Sequence, residues 1–357
     1  MLSALALGAT LAMPGPNRLM TLARNVPFPA RRAVKEFNDV RPGFRFDEVI
    51  PSWNVGRGTS GGGGPEDGAV KVEMRVPTAA GARTPWMSLG QWSLGADWTP
   101  RESQKGQSTP SAKVSTDTLV AKIPIDRVDV RLTLTTRSGA PPPSLKHLSL
   151  TFSNTKAPPV AAQANRAAWG RTIDVPQRAQ GNYPRGGVLC SATSTSMLLW
   201  HYSQVLDRPE LNRDVPEVES RVWDRVYNGA GNWPFNAAYA GSFDGMLAYV
   251  ARLDSIADLE TLIAAGYPVA CSVSFDRLRG RPLSAGESGH LIVLVGFAPD
   301  GTPVVNDPAF KEGVRKTYPR QDFLSGWDYS DHTVYIYIPE GAELPKDPKG
   351  QWTIGRR

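Results

Sequence analysis

The chain changes texture once, and that change limits its possible folds more than any other feature. Before residue 155, apolar and polar residues alternate in short runs and no helical period intervenes. After Thr172, helical periods come first and strands follow. In the first part "VKVEMRV" (70–76), "DTLVAKI" (117–123), "VDVRLTLTT" (128–136) and "LKHLSLTF" (145–152) read as strands, divided by turn-rich stretches such as "GRGTSGGGGPEDG" and "RSGAPPPS". This pattern predicts a β-sandwich over residues 35–156. In the second part helices are expected at 190–206, 215–228, 242–252 and 257–265. Strands are expected at 268–275, 290–297, 302–307 and 333–338. That is an α+β domain over 172–341, helices first and then an antiparallel sheet. The Ala- and Pro-rich segment 157–171 reads as an exposed linker, residues 1–34 as leader and linker, and 342–357 as a loosely ordered tail. The division predicts that each domain folds alone and that nothing before Thr172 supplies chemistry.

Charge and cysteine content narrow the classes. A formal charge of +6 favours anionic surfaces, and an anionic cell-wall polymer bound through the N-terminal domain fits it. The basic residues are scattered, without a zinc-finger spacing, a basic-region helix or an RNA-binding signature, so nucleic acid is not expected as a partner. The two cysteines, Cys190 and Cys271, make no disulfide framework, and the four histidines show no metal-ligand spacing. No metal or organic cofactor is expected. The stretch Leu2 to Met13 has the length of a signal-peptide core and is too short to span a bilayer. It predicts a protein that is secreted or held at the cell envelope, and not transmembrane.

Cys190 opens "CSATSTSMLLWHY" (190–202), where Leu198, Leu199, Tyr202 and Leu206 fall on one helical stripe. It would lie in the first turn, where unpaired N–H groups and the helix dipole favour a thiolate. A base is offered by "SGHLIVLVGFAPDGTPVVNDPA" (288–309). His290 opens a buried strand, "APDG" turns, and "TPVVND" returns. With a four-residue loop, Phe297 faces Thr302, His290 faces Ala309 and Asp307 faces Ile292. His290 and Asp307 then project from the same side, roughly 7–8 Å apart at Cα. One hairpin can thus supply a base and the carboxylate that orients it. A buried cysteine, a strand-end histidine and a turn aspartate are the plainer readings of these residues one by one; their joint order favours catalysis. Acyl transfer also needs oxyanion donors. The Cys190 N–H is one, and a side-chain amide, Gln180 or Gln177, is the other.

These segments resemble a family. "VPQRAQ" (175–180), the Cys190 helix, "GHLIVLVGF" (289–297) and "VVNDPA" (304–309) are similar, in order and content, to a papain-fold cysteine peptidase of the bacteriocin-processing type, family thirty-nine of cysteine peptidases and its "like" relatives. The resemblance implies a papain-like domain with Gln180, rather than Gln177, in the oxyanion hole, and Cys190, His290 and Asp307 as triad. It implies a peptide or protein substrate and hydrolysis through a thioester. "FRFDEVIPSWN" (44–54) and "WMSLGQWS" (86–93) resemble the β-sandwich that precedes such domains in secreted bacterial relatives. Ser191-Ala192 stand where relatives often carry Gly-Pro or Ser-Pro. The membrane and nucleotide-binding domains of the export transporters are not in this sequence, so their double-glycine substrate does not carry over.

Other residues invite plainer readings. Cys271 in "YPVACSVSF" reads as core. Trp86, Trp92 and Trp98, six apart, either line a sugar-binding face or pack. His201 and His332 read as structural or exposed. Two further functions fit the same residues: a non-catalytic adhesion protein that keeps the fold as scaffold, and an acyl transferase or transpeptidase with the same triad.

Overall fold

A computed structural model describes residues 15–59, 61–287 and 289–355. The signal-like stretch Leu2–Met13 lies outside them. The N-terminal region is all-β. Its strands are β1 (Asn17–Pro27), β2 (Arg32–Val40), β3 (Phe46–Gly56), β4 (Gly68–Arg75), β5 (Met87–Ser93), β6 (Ala112–Ser115), β7 (Thr118–Ile125), β8 (Val128–Thr136) and β9 (Ser144–Ser153). They form two antiparallel sheets, ordered β1-β9-β3-β7-β6 and β2-β8-β4-β5. Trp53, Phe46 and Phe152 of the first sheet and Trp92, Val70 and Val72 of the second belong to one buried core. The four strands that alternate in sequence are all present. β3 hides from that test because it is buried along almost its whole length and carries Pro51. Proline is tolerated there because the β7 ladder covers only Phe46–Val49, leaving Pro51 paired on the β9 side alone.

The C-terminal region contains β10 (Arg171–Thr172), α1 (Cys190–Val205), α2 (Val215–Val222), α3 (Trp233–Ala240), β11 (Met246–Arg252), α4 (Ile256–Ala264), β12 (Val269–Val273), α5 (Phe275–Leu278), β13 (His290–Phe297), β14 (Pro303–Asn306), β15 (Arg315–Thr317), α6 (Arg320–Asp328) and β16 (Thr333–Pro339). Its antiparallel sheet runs β11-β16-β12-β13-β14-β15, with β10 also on β13. The expected helix at 242–252 is instead the strand β11. "MLAYVAR" is buried at every position, so its apolar run carries no period, and length and cover decide between helix and strand. The helix expected to reach 228 stops at Val222, because Asp224 organises the following loop. Its Oδ1 accepts from the N–H groups of Val226 and Tyr227, both at 3.0 Å, and its Oδ2 from Asn232 Nδ2 at 2.9 Å.

The two regions share a core, contrary to the expectation of independent domains. α3 and β11 pack on β3, and one continuous cluster joins Trp53 and Leu148 to Phe235, Ala237 and Ala248. β11 is the edge of its sheet, and side chains of the N-terminal region satisfy that edge. Asn54 Nδ2 donates to Ala248 O at 2.9 Å and to Ala237 O at 3.1 Å, while its Oδ1 accepts from Ala248 N at 2.9 Å. Ser52 Oγ accepts from Val250 N at 2.9 Å, and Thr151 donates to Val250 O at 2.7 Å. An open strand edge is thereby closed without another strand.

Three segments expected to be loose are anchored. Part of the leader segment is strand β1, paired along β9. In the 157–171 linker, Trp169 Nε1 and Asn165 N both donate to Glu260, at 2.9 and 2.7 Å. In the tail, Trp352 and Ile354 are buried, and Gly350 O accepts from Leu19 N at 2.7 Å. β1 completes the N-terminal sheet, and the linker docks on α4. Trp92 is fully buried, so Trp86, Trp92 and Trp98 do not line one surface.

Candidate functional site

Cys190 is the first residue of α1. The turn before it holds Arg185 at φ +62° and runs through Gly186–Val188. A Cβ at Gly186 would lie 2.4 Å from Gln180 O, so a side chain there would push the two segments apart. The helix is buried on nearly all sides rather than along one stripe, and short hydroxyl side chains let it lie close to the sheet. Ser191 Oγ meets Tyr335 OH at 2.8 Å, Ser194 donates to Leu291 O at 3.1 Å, and Thr195 lies 2.9 Å from Tyr337 OH.

His290 begins β13, and its Nε2 is 2.7 Å from Asp307 Oδ1. Its ring tilts against Phe275 of α5, with centroids 4.8 Å apart. Cys190 is the other group whose charge acts on it. Asp307 follows β14 and is fully buried. Its Oδ1 also accepts from Ala309 N at 2.9 Å, and its Oδ2 from Tyr318 OH at 2.6 Å. The hairpin differs in detail from the expected one. Its loop, 298–302, has five residues rather than four, so Phe297 pairs with Pro303 and Gly296 with Val304. Unrelieved, that register would turn Asp307 away from His290. A bulge between Leu294 and Gly296 absorbs the extra residue, and Val293 then pairs with Asn306, the register that aligns Asp307 with His290.

The electrostatics follow from burial and from these partners. Burial pushes the Cys190 thiol up, but the hydrogen bond and charge of His290, aided by the N–H groups of Leu291 and Ser191, bring it below its usual value. Burial pushes His290 down, but Asp307 and Cys190 together raise it above its usual value. Burial likewise opposes ionisation of Asp307, and His290, Tyr318 and the Ala309 N–H outweigh it. The arrangement favours a thiolate–imidazolium pair backed by a carboxylate. Cys271 is also a free thiol but is buried, and burial alone pushes it up.

Gln180 sits on a short turn beside this group. Its N–H donates to Pro308 O at 2.9 Å, and its side-chain Oε1 is buried without a hydrogen-bond partner among the described residues. Gln177 is committed elsewhere, accepting from Arg315 N at 3.0 Å. His201 and His332 lie away from the group, on Asp174 O at 3.0 Å and Asp328 at 2.6 Å. Nothing in the sequence marks Tyr318 or Phe275, because neither has a spacing that ties it to His290 or Asp307.

Cys190 opens into a cleft of about 700 Å³. Val188, Tyr227 and Trp233 line it from the C-terminal region, and Glu48, Lys113 and Asp117 from the N-terminal region. Residues before Thr172 therefore line the cleft, although Cys190, His290, Asp307 and Gln180 all lie after it: the shared core brings the β6–β7 hairpin against it. Hollows of about 790 and 1020 Å³ elsewhere bring no cysteine–histidine pair together.

Comparison with known proteins agrees with the motifs. Residues 172–335 match the Peptidase_C39 like family, and residues 35–153 match the Peptidase C39 N-terminal domain. No curated protein matches the chain. A solved structure from Bacillus anthracis described as a C39-like peptidase is 16% identical, over 47% of this chain and 96% of its own, with a TM-score of 0.36.

Proposed function

We propose that this chain, which matches C39-like peptidase families over both of its regions, is a cysteine peptidase that hydrolyses amide bonds through Cys190, with a papain-like arrangement of its site. The observation that carries the reading is Cys190 on a cleft at the start of α1, its thiol lowered by His290, whose ring Asp307 holds at 2.7 Å. In the first step the Cys190 thiolate adds to the substrate carbonyl. The oxyanion that forms is held by the Cys190 N–H and by the Gln180 side-chain amide. The His290 imidazolium gives its proton to the leaving amine, and the C–N bond breaks to leave a thioester. Neutral His290 then takes a proton from water, the hydroxide adds to the thioester, and the acid departs as the thiolate returns. Asp307 keeps the imidazole oriented throughout.

The test is direct. Cys190→Ala should lose peptide hydrolysis by at least about a thousandfold and lose labelling by iodoacetamide. A Cys190→Ala protein that hydrolyses like the parent removes this reading. Secretion belongs to the same proposal and rests on the Leu2–Met13 stretch. N-terminal sequencing of protein recovered from culture medium checks it: the mature chain should begin after that stretch.

A further inference from the structure

The cleft is longer than the chemistry at Cys190 requires. Leu291, Ser272, Ser330 and Arg252 all line it. Leu291 and Ser272 belong to β13 and β12, Ser330 lies just before β16, and Arg252 ends β11. In the sheet these strands are successive neighbours, β13-β12-β16-β11. Three strand spacings make the lined floor roughly 14 Å long, the reach of about four residues of extended chain. The facing wall comes from the other region. Lys113 and Ser115, at the end of the β6–β7 hairpin, line the same cleft, and both are exposed. The hairpin is held there by Asp117, whose Oδ2 accepts from Trp233 N at 2.8 Å at the start of α3. The loop that carries Tyr227 is fixed from the same side, because Asp224 Oδ1 also accepts from Ser103 N at 3.0 Å.

We propose that the cleft takes an extended polypeptide laid across these four strand ends, with the β6–β7 hairpin of the N-terminal region as its second wall. The N-terminal region is then part of the substrate site and selects which chains enter. This rests on the reading of Cys190 as a peptidase nucleophile.

The test uses the full chain and two degenerate pools of internally quenched peptides, octapeptides and tetrapeptides. The native protein should cleave the octapeptide pool with at least tenfold higher kcat/KM. Ser115→Trp and, separately, Lys113→Trp place bulk in the cleft from exposed positions. At least one should abolish the length advantage while the rate of Cys190 alkylation by iodoacetamide stays within twofold. Equal rates on both pools in the native protein would overturn extended binding. A length advantage that survives both substitutions would overturn the hairpin wall. Failure to cleave either pool, with Cys190 still alkylated, would remove the peptidase reading and this proposal with it.

Discussion

At Cys190 two effects oppose each other: burial favours the thiol, and the neighbouring imidazole favours the thiolate. The lowered Cys190 and the raised His290 give a window in which both are charged. Below it the thiolate takes a proton, and above it the imidazolium loses one. Alkylation of Cys190 should therefore already proceed at neutral pH. His290→Ala removes the opposing partner and leaves burial, so the inflection should move upward and the rate at pH 6.5 should fall at least about tenfold. Stopped-flow alkylation against pH checks this. Tyr318 acts one bond further out. Tyr318→Phe removes the 2.6 Å donor to Asp307 Oδ2, a bond to a charged group. The charge on Asp307 is then less delocalised and holds imidazolium more tightly. The alkaline limb of the pH–rate profile should move to higher pH. A purely structural loss would lower the plateau and leave the limb in place.

The decisive elements are those whose ends meet at the cleft. The His290–Asp307 hairpin reaches its alignment by two departures that cancel, a five-residue loop and a bulge. A regular hairpin with the same loop would put the two side chains on opposite faces. The β6–β7 hairpin is tied to α3 through Asp117. Burial with Asp224 nearby pushes its carboxyl up to about 7 despite three hydrogen bonds. The folded value exceeds the unfolded one, so the contribution to stability is full below the ordinary carboxylate range. It is lost as pH rises towards 7. Ionisation should cost up to roughly 4 kcal/mol at pH 8. Asp117→Asn keeps an acceptor for Trp233 N and removes the charge. Its Tm should match the native protein near pH 4 and exceed it at pH 8. A native Tm that stays flat over that range would rule out this account.

On the scale of the whole molecule the two regions share one core. The isolated fragment from Arg171 to Gly355 would expose Phe235 and leave the β11 edge without Asn54, Ser52 and Thr151. It should fail to form a compact soluble species by size-exclusion chromatography, whereas co-expression with residues 15–156 should recover it. A compact, iodoacetamide-reactive fragment would contradict the shared core. Asn54→Ala leaves the buried Ala248 N without an acceptor and takes one donor each from Ala248 O and Ala237 O. It should cost about 2–5 kcal/mol, read as a lowered urea midpoint. His147, held neutral because burial pushes it down to about 3, faces Asn54 Oδ1 at 2.8 Å, so the loss spreads to a second buried ring.

The sequence by itself determined the all-β region, the α+β region and the order of Cys190, His290 and Asp307. Each of these is local: alternation along strands, a cysteine at a helix start, a histidine and an aspartate on one hairpin. Only the tertiary structure decided that 246–252 is a strand, that β1, the linker and the tail are anchored, and that Tyr318 and the β6–β7 hairpin reach the site. Those outcomes depend on which buried surface covers which. A segment buried on every side, such as β3 or β11, carries no period to read. The contact between Lys113 and the Cys190 cleft joins residues far apart in the chain, and no spacing along the sequence records it.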